Sequence, residues 1–362
     1  MKYKKIALVC GASFKSAPYL SYYTDFFSKE QIPFDLIFWN RNSDDYSKLP
    51  DNYIIYNKPS SLYKNQILKL FDVFSFVKFA KKQIKANNYS GIIVFGIITP
   101  LLLVGGLSKK KTPYIIDVRD YSPFLKNIII ERWFKKIIEG SQSTYISSQG
   151  FRCWLPVCKK YSVFHNCAFD YFDNYSTVST KFRHPIKILT IGQIRDYRPN
   201  TMLLSALANN NNFYCVFSGK GSQSLNIEEY AKNNKINNFI YTGAYEKEDE
   251  WAIAESSDII NSVFLHDVNS DSLLTNRLYL AIKHRKPLIV SNGCFQAEIV
   301  RKYDLGVVID MDGDICKQLS SYCLHFNANE FSKGCSEFIR DVKFDMDNIQ
   351  RSLNSFCRSC LD

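Results

Sequence analysis

The sequence predicts an α/β protein of two Rossmann-like, doubly wound domains facing a central cleft, and three observations carry this. Its 362 residues exceed what one hydrophobic core usually supports. Apolar runs of strand length alternate with longer segments of helical period, the pattern of crossover units in a mainly parallel sheet. The alternation lapses once, over residues 170–184 (DYFDNYSTVSTKFRH), where the sequence turns polar, and then restarts.

The first strand is expected over residues 5–11 (KIALVCG), because a short apolar run ending in a glycine turn suits a buried parallel strand. A helix follows over 19–30 and a strand over 34–39. Residues 60–87 carry Leu62, Ile67, Leu70, Val73, Phe74 and Val77 at helical spacing with lysines between them. A strand over 91–95, a helix after Pro100, a strand over 114–118, a helix over 122–139 and strands over 144–147 and 160–164 complete the first half. Beyond the lapse, strands over 186–191, 214–218, 239–242, 258–262, 288–291 and 306–308 are expected. Helices over 201–209, 226–234, 249–255 and 274–283 alternate with them, and a last helix starts at about 347. The expected domains are residues 1–175 and 185–340, with 341–362 as a C-terminal helix.

A hydrophobic fraction of 46% with 22% charged residues fits packed cores rather than disorder. The net charge of +11 calls for an anionic partner: nucleic acid, an anionic membrane surface or a phosphate-bearing substrate. The sequence has no helix-turn-helix, aromatic RNA-binding signature or zinc finger, which sets nucleic acid aside. The 11 cysteines are odd in number and scattered, with no signal peptide before the first strand, so the chain reads as reduced and cytoplasmic. Cys10, Cys167 and Cys215 sit in or beside apolar runs as small core residues, and Cys357 and Cys360 read as free thiols on the last helix. The longest apolar run, 91–107, is broken by Gly96, Pro100, Gly105 and Gly106, too short to cross a bilayer.

Candidate site residues follow strands. ILTIGQIRDYRPN ends a strand at Gly192 and opens a loop before a helix, where main-chain N–H groups favour a phosphate and Arg195 and Arg198 add charge. FSGKGSQ supplies a second loop, with Gly219 and Gly221 permitting close backbone approach and Lys220 adding charge. In NSDSLLTNRLYLAIKHRKPLIVS a helix starts behind Ser272 or Thr275 as N-cap. IIDVRDYSPF brings Asp117, Arg119 and Asp120 to a strand end. There a carboxylate can orient an acceptor hydroxyl or serve as general base, a role assigned to Asp120, with Asp117 structural. His165 reads as a structural histidine. No metal is expected, for no Asp-x-Asp triplet follows a strand and no His/Cys cluster occurs.

Five segments in order, VFHNCAFD, ILTIGQIRDYRPN, CVFSGKGSQ, FIYTGAYEKEDEWAIAESSDIINS and LTNRLYLAIKHRKPLIVSNG, resemble the GT-B glycosyltransferases. The likeness is strongest to the family-four group, which includes many capsule and O-antigen enzymes, and runs from about residue 165 to 306. It implies transfer of a sugar from a nucleotide-diphosphate donor, with no further cofactor, to a growing, lipid-linked surface glycan of capsular or O-antigen type. It also implies a last helix that crosses back to the first domain. The family's loop after the glycine carries an Arg and, five positions later, a basic residue that neutralise the donor diphosphate. Here Gln193 takes the first position and Arg198 the second, with Arg195 nearby to supply charge. Gly11-Ala12-Ser13 matches the small-residue loop under the diphosphate, and Tyr245 is implied to stack on the nucleobase. The family's two glutamates, eight positions apart, fall on Ser272 and Leu280, so both are absent. Asp271 lies beside the first and is expected to replace it in catalysis, and Asn276, Arg277 and Tyr279 are left as the polar groups to meet the donor. That departure keeps open an inactive partner subunit or a sugar-nucleotide epimerase on the same architecture.

Residues 62–85 and 126–138 interleave apolar residues with Lys or Arg. Helices lying on an anionic membrane have this pattern, and so do core helices with a solvated basic face. A lipid-linked acceptor suits the first, and with it a peripheral position at the inner face of the plasma membrane.

Overall fold

Five consecutive buried residues, Ile6–Cys10, form the first strand, β1. A strand covered on both faces has no polar side to display, so its residues read as one apolar run. The computed structural model describes residues 4–60, 66–87, 89–104, 112–179 and 181–361. The Lys109–Lys110–Lys111 cluster, Gly105, Gly106 and Leu62 lie outside them. The chain divides into two compact units: Met1–Phe169 with Phe344–Asp362, and Asp170–Lys343.

In the first unit β1 is followed by α1 (Tyr19–Lys29), β2 (Phe34–Asn40), β3 (Tyr53–Asn57), α2 (Gln66–Asn87), β4 (Gly91–Phe95) and α3 (Ile98–Val104). Then come β5 (Tyr114–Val118), α4 (Ile128–Gly140), β6 (Ser143–Ile146) and β7 (Tyr161–Val163). Among the described residues these strands form a seven-stranded parallel sheet in the order β3-β2-β1-β4-β5-β6-β7. The order reverses direction between β1 and β4, so the Gly11 loop opens at the topological switch point.

The second unit holds β8 (Ile186–Gln193), α5 (Tyr197–Ala206), β9 (Phe213–Lys220), α6 (Ser224–Asn233), β10 (Phe239–Gly243), α7 (Glu250–Glu255) and β11 (Ile259–Asn261). It continues with α8 (Val268–Ser272), α9 (Asn276–Lys283), β12 (Leu288–Ser291), α10 (Phe295–Lys302), β13 (Gly306–Ile309) and α11 (Ile315–Leu324). Its parallel sheet has the order β10-β9-β8-β11-β12-β13, with its switch point between β8 and β11. Ile188, Leu203, Phe217, Ile259 and Ile289 belong to one buried core beneath that point.

The polar segment read as a connection is fastened to the second unit. Ser176 N–H donates to Lys283 O at 2.9 Å, Lys283 lies over the Tyr171 ring and Arg285 over the Tyr175 ring. The last helix, α12 (Ala328–Leu361), starts well before residue 347. Asn327 caps it, its Oδ1 accepting from Asn329 and Glu330 N–H. Its residues from Phe344 onward belong to the first unit, where Ser352 Oγ meets the hydroxyls of Ser143 and Tyr145 at 3.1 and 2.8 Å. All eleven cysteines are free; burial pushes the Cys10 thiol up to about 11 and that of Cys215 up to about 12. Cys357 and Cys360 are both buried on α12.

Candidate functional site

Gly192 and Gly219 are register partners where β8 and β9 end. Ile194 N–H donates to Lys220 O and Gln223 N–H to Ile194 O, both at 3.2 Å, so the two glycine loops run backbone against backbone. Lys220 is exposed at the end of β9. Arg195 is exposed and sits 3.8 Å from the Asp196 carboxylate, and Arg198 is exposed in the first turn of α5. Asp196 spends Oδ1 on the N–H of Leu265, at 3.3 Å, tying the loop after β11 to the loop after β8.

Arg277, in the first turn of α9, spans the switch point. Its Nε donates to Ile191 O at 2.7 Å, Nη2 to Gln193 O at 2.8 Å and Nη1 to Asn261 O at 3.4 Å. Among the described residues no carboxylate lies within ion-pair distance of it. Burial pushes the guanidinium down to about 10, an unusual value for a group that ordinarily stays charged far above neutrality. A cation held by carbonyls alone, at the carboxyl ends of two parallel strands, is a site that an anion would stabilise. Beneath it, buried Asn261 donates from Nδ2 to Thr190 Oγ1 at 2.8 Å and to Asn200 Oδ1 at 3.0 Å, and its Oδ1 accepts from Val263 N–H.

Tyr245 lies beside this loop: a Cβ on Gly192 would be 3.9 Å from its hydroxyl oxygen. Its hydroxyl donates to Glu250 at 3.3 Å, and burial with that carboxylate pushes it up to about 12. Asp271 faces His266, its Oδ1 2.5 Å from Nδ1. Asn276 is exposed at the start of α9.

The helix starts behind Thr275, one of the two expected N-caps, and its polar residues differ in what they face. Tyr279 is 1% exposed and packs near Phe338 in the core of the unit. Its neighbours Leu278 and Ile282 make one buried helical stripe with it. Ser272 turns its hydroxyl into its own helix, onto Val268 O and Asn269 O. Thr275 holds the N-cap position of α9, yet its hydroxyl donates to Gln296 Oε1 and makes no cap bond.

In the first unit Gly11 abuts Thr99, whose Oγ1 would lie 2.9 Å from a Cβ there. Asp117 is fully buried and takes the Arg119 guanidinium at 2.7 Å and the Tyr23 hydroxyl at 2.5 Å. Arg119 also donates to Phe164 O, so this pair secures the interior of the unit. Asp120, one residue on, is exposed at the end of β5. His165 meets Asp345 of α12 at 3.1 Å. Among the described residues no three His, Cys, Asp or Glu side chains converge as metal ligands would.

No protein-family model matches the chain, and no curated protein matches it in sequence. Solved structures match over nearly its whole length. Sucrose-phosphate synthase from Thermosynechococcus elongatus does so with a TM-score of 0.72 at 11% identity, over 97% of this chain and 99% of that one. HepE from Anabaena, solved with UDP and glucose, gives 0.68 at 12%, over 98% and 100%. The lipopolysaccharide outer core galactosyltransferase WaaB in its apo form gives 0.65 at 14%, over 97% and 99%. The fold is GT-B. Within this GT-B chain, sequence reasoning singled out Arg277 but not the carbonyls that clasp it. It passed over His266 entirely, which lies in a stretch, SVFLHD, that matches no motif.

Proposed function

We propose that the chain is a glycosyltransferase that takes a sugar from a UDP-type nucleotide donor and adds it to a growing surface glycan. The observation that carries this is Arg277, a half-buried cation clasped by the carbonyls of Ile191, Gln193 and Asn261 with Arg195, Arg198 and Lys220 on the adjoining loops. Such an arrangement suits a diphosphate, and HepE, on the same fold, holds UDP. In the reaction the bond from the anomeric carbon to the diphosphate breaks and a bond to the acceptor oxygen forms. The leaving diphosphate gains negative charge, which the four cations stabilise. The acceptor proton passes to a carboxylate, the role proposed for Asp120. A capsular or O-antigen type glycan on a lipid carrier is the proposed acceptor, and the cytoplasmic face of the membrane the proposed place of action.

The test is calorimetry against UDP and a panel of UDP-sugars, followed by a product assay with acceptor. Binding with turnover only when acceptor is present is the expected result. Arg198→Ala is expected to weaken donor binding by about 1.5–3 kcal/mol, the scale of a charge-assisted contact to an anion. Unchanged affinity in that variant would remove Arg198 from the donor site.

A further inference from the structure

The loop that leaves β11 carries polar groups that the diphosphate does not use. It runs from Ser262 to Asp267 and is fastened at both ends. At its start Ser262 Oγ accepts from Gln296 Nε2 at 3.0 Å and meets Thr275 Oγ1 at 3.0 Å, while Gln296 Oε1 takes Thr275 N–H at 2.8 Å. At its end the Asp267 carboxylate caps α8, accepting the N–H groups of Asn269 and Ser270 at 2.8 Å. Between them Leu265 N–H is held by Asp196, the neighbour of Arg195. His266 therefore stands on a pinned loop beside the cationic loops.

Asp271 fixes the imidazole. Its Oδ1 is 2.5 Å from His266 Nδ1, and its own N–H donates to Asp267 O at 2.8 Å. A carboxylate on Nδ1 selects the tautomer with the proton there and leaves Nε2 as the acceptor, or as a second donor when the ring is charged. The His266 side chain is 48% exposed, and no described residue hydrogen-bonds its Nε2. Gly293 lies opposite, where a Cβ would come 3.5 Å from His266 Cε1, so the ring edge meets a residue with no side chain. Asp271 Oδ1 is engaged with His266, so a ligand arriving here meets an oriented imidazole nitrogen.

We propose that the His266–Asp271 pair reads the hydroxyls of the donor's sugar ring, with His266 Nε2 as the contact atom and Asp271 as the positioning residue. This rests on the nucleotide-sugar reading of the same unit. The two are separated by comparing UDP with UDP-glucose, UDP-galactose and UDP-N-acetylglucosamine in calorimetry. In His266→Ala the preferred UDP-sugar is expected to bind about tenfold more weakly, the loss of one good hydrogen bond, while UDP binds within twofold of wild type. His266→Gln, which keeps a polar atom, is expected to fall between. The imidazole signal of His266, one of five histidines, should shift in NMR on adding the UDP-sugar and not on adding UDP. Equal weakening of UDP and UDP-sugar, or no change in either, would overturn the proposal and leave nucleotide binding standing. A wild type that binds none of the four would overturn the nucleotide reading and the subsite with it.

Discussion

A Cβ placed on Gly219 would lie 1.9 Å from the carbonyl oxygen of Gly192. The two residues are register partners, with φ of +139° and +86°. Two residues further, a Cβ on Gly221 would be 2.0 Å from Ile194 O. The two loops that carry the candidate phosphate-binding groups thus close on each other with main chain only.

Gly219→Ala is accordingly expected to destabilise the protein by about 3 kcal/mol, combining backbone strain with a clash no flexible side chain can relieve. Gly243→Ala is the control: its φ is +77° but nothing lies within 4 Å of the added carbon, so only the left-handed penalty of about 1 kcal/mol applies. Urea unfolding of both variants checks this. Equal losses would mean that contact with Gly192 does not limit the position.

Asn261 is expected to be the most sensitive polar residue beneath the site. Replacing it with Ala removes the partner of Asn200 Oδ1 and of Val263 N–H in a fully buried place. Each group left unsatisfied costs about 1–3 kcal/mol, so a loss of about 3 kcal/mol is expected. Thr190→Val removes a single acceptor from the same amide and should lose about 1 kcal/mol. Denaturant midpoints of the two variants give the comparison, and a smaller loss in Asn261→Ala than in Thr190→Val contradicts it.

How much of this was legible depends on where each partner lies in the chain. β1, β2 and β4 are buried throughout, so their composition declared them. β3 (YIIYN) was missed because it is an edge strand, half-buried and set in a polar stretch. α12 begins well before the expected start at about 347, and Gly334 lies within it. A Cβ there would meet Tyr303 O at 1.6 Å, so glycine permits the close packing of that helix. At the site, the basic and glycine loops follow strands and could be found locally. The clasp on Arg277 could not, because its acceptors are main-chain carbonyls of β8 and β11, and carbonyls leave no mark in a sequence.

Acid is expected to loosen the 170–176 segment. Glu255 accepts from the Ser176 hydroxyl, lies 2.9 Å from His284 Nδ1, and faces Lys286. Burial holds buried His284 below its ordinary value, although Glu255 pulls the other way. Glu255 is held below the carboxylate range; burial opposes this, but Ser176, His284 and Lys286 outweigh it. With both folded values depressed, the unfolded chain binds protons first. Stability is then present above the unfolded values of 6.5 and 4.5 and falls as pH drops below each. Melting temperature should decline from pH 7 to pH 4. His284→Gln, which can still donate to Glu255, should flatten the part between pH 7 and 5. An identical slope in the variant would assign the acid sensitivity to other groups.

The last prediction concerns α4, a helix that combines exposed apolar and basic residues. Phe134, Ile137 and Ile138 are buried, which leaves the opposite face in water. On it Ile129 is 73% exposed, Ile128 58% and Trp133 43%, next to exposed Arg132, Lys136 and Lys126. A solvated basic face has no use for Ile and Trp at these positions, whereas an anionic bilayer surface takes both kinds of residue. No described helix is long and apolar enough to cross a membrane; the attachment predicted from this exposed face is peripheral. Each basic residue contributes about 1 kcal/mol near an anionic surface, and salt screens this over about 10 Å at 0.1 M. Co-sedimentation with vesicles containing phosphatidylserine should therefore be strong at low salt and weak at high salt. Ile129→Asp with Trp133→Ala should lower it by about tenfold or more at low salt, since the apolar share of the contact is removed and a charge of the wrong sign is added. Lys136→Ala alone should mainly reduce the salt dependence. Equal binding to neutral vesicles would count against the electrostatic part, and unchanged binding of the double variant against α4 as the contact face.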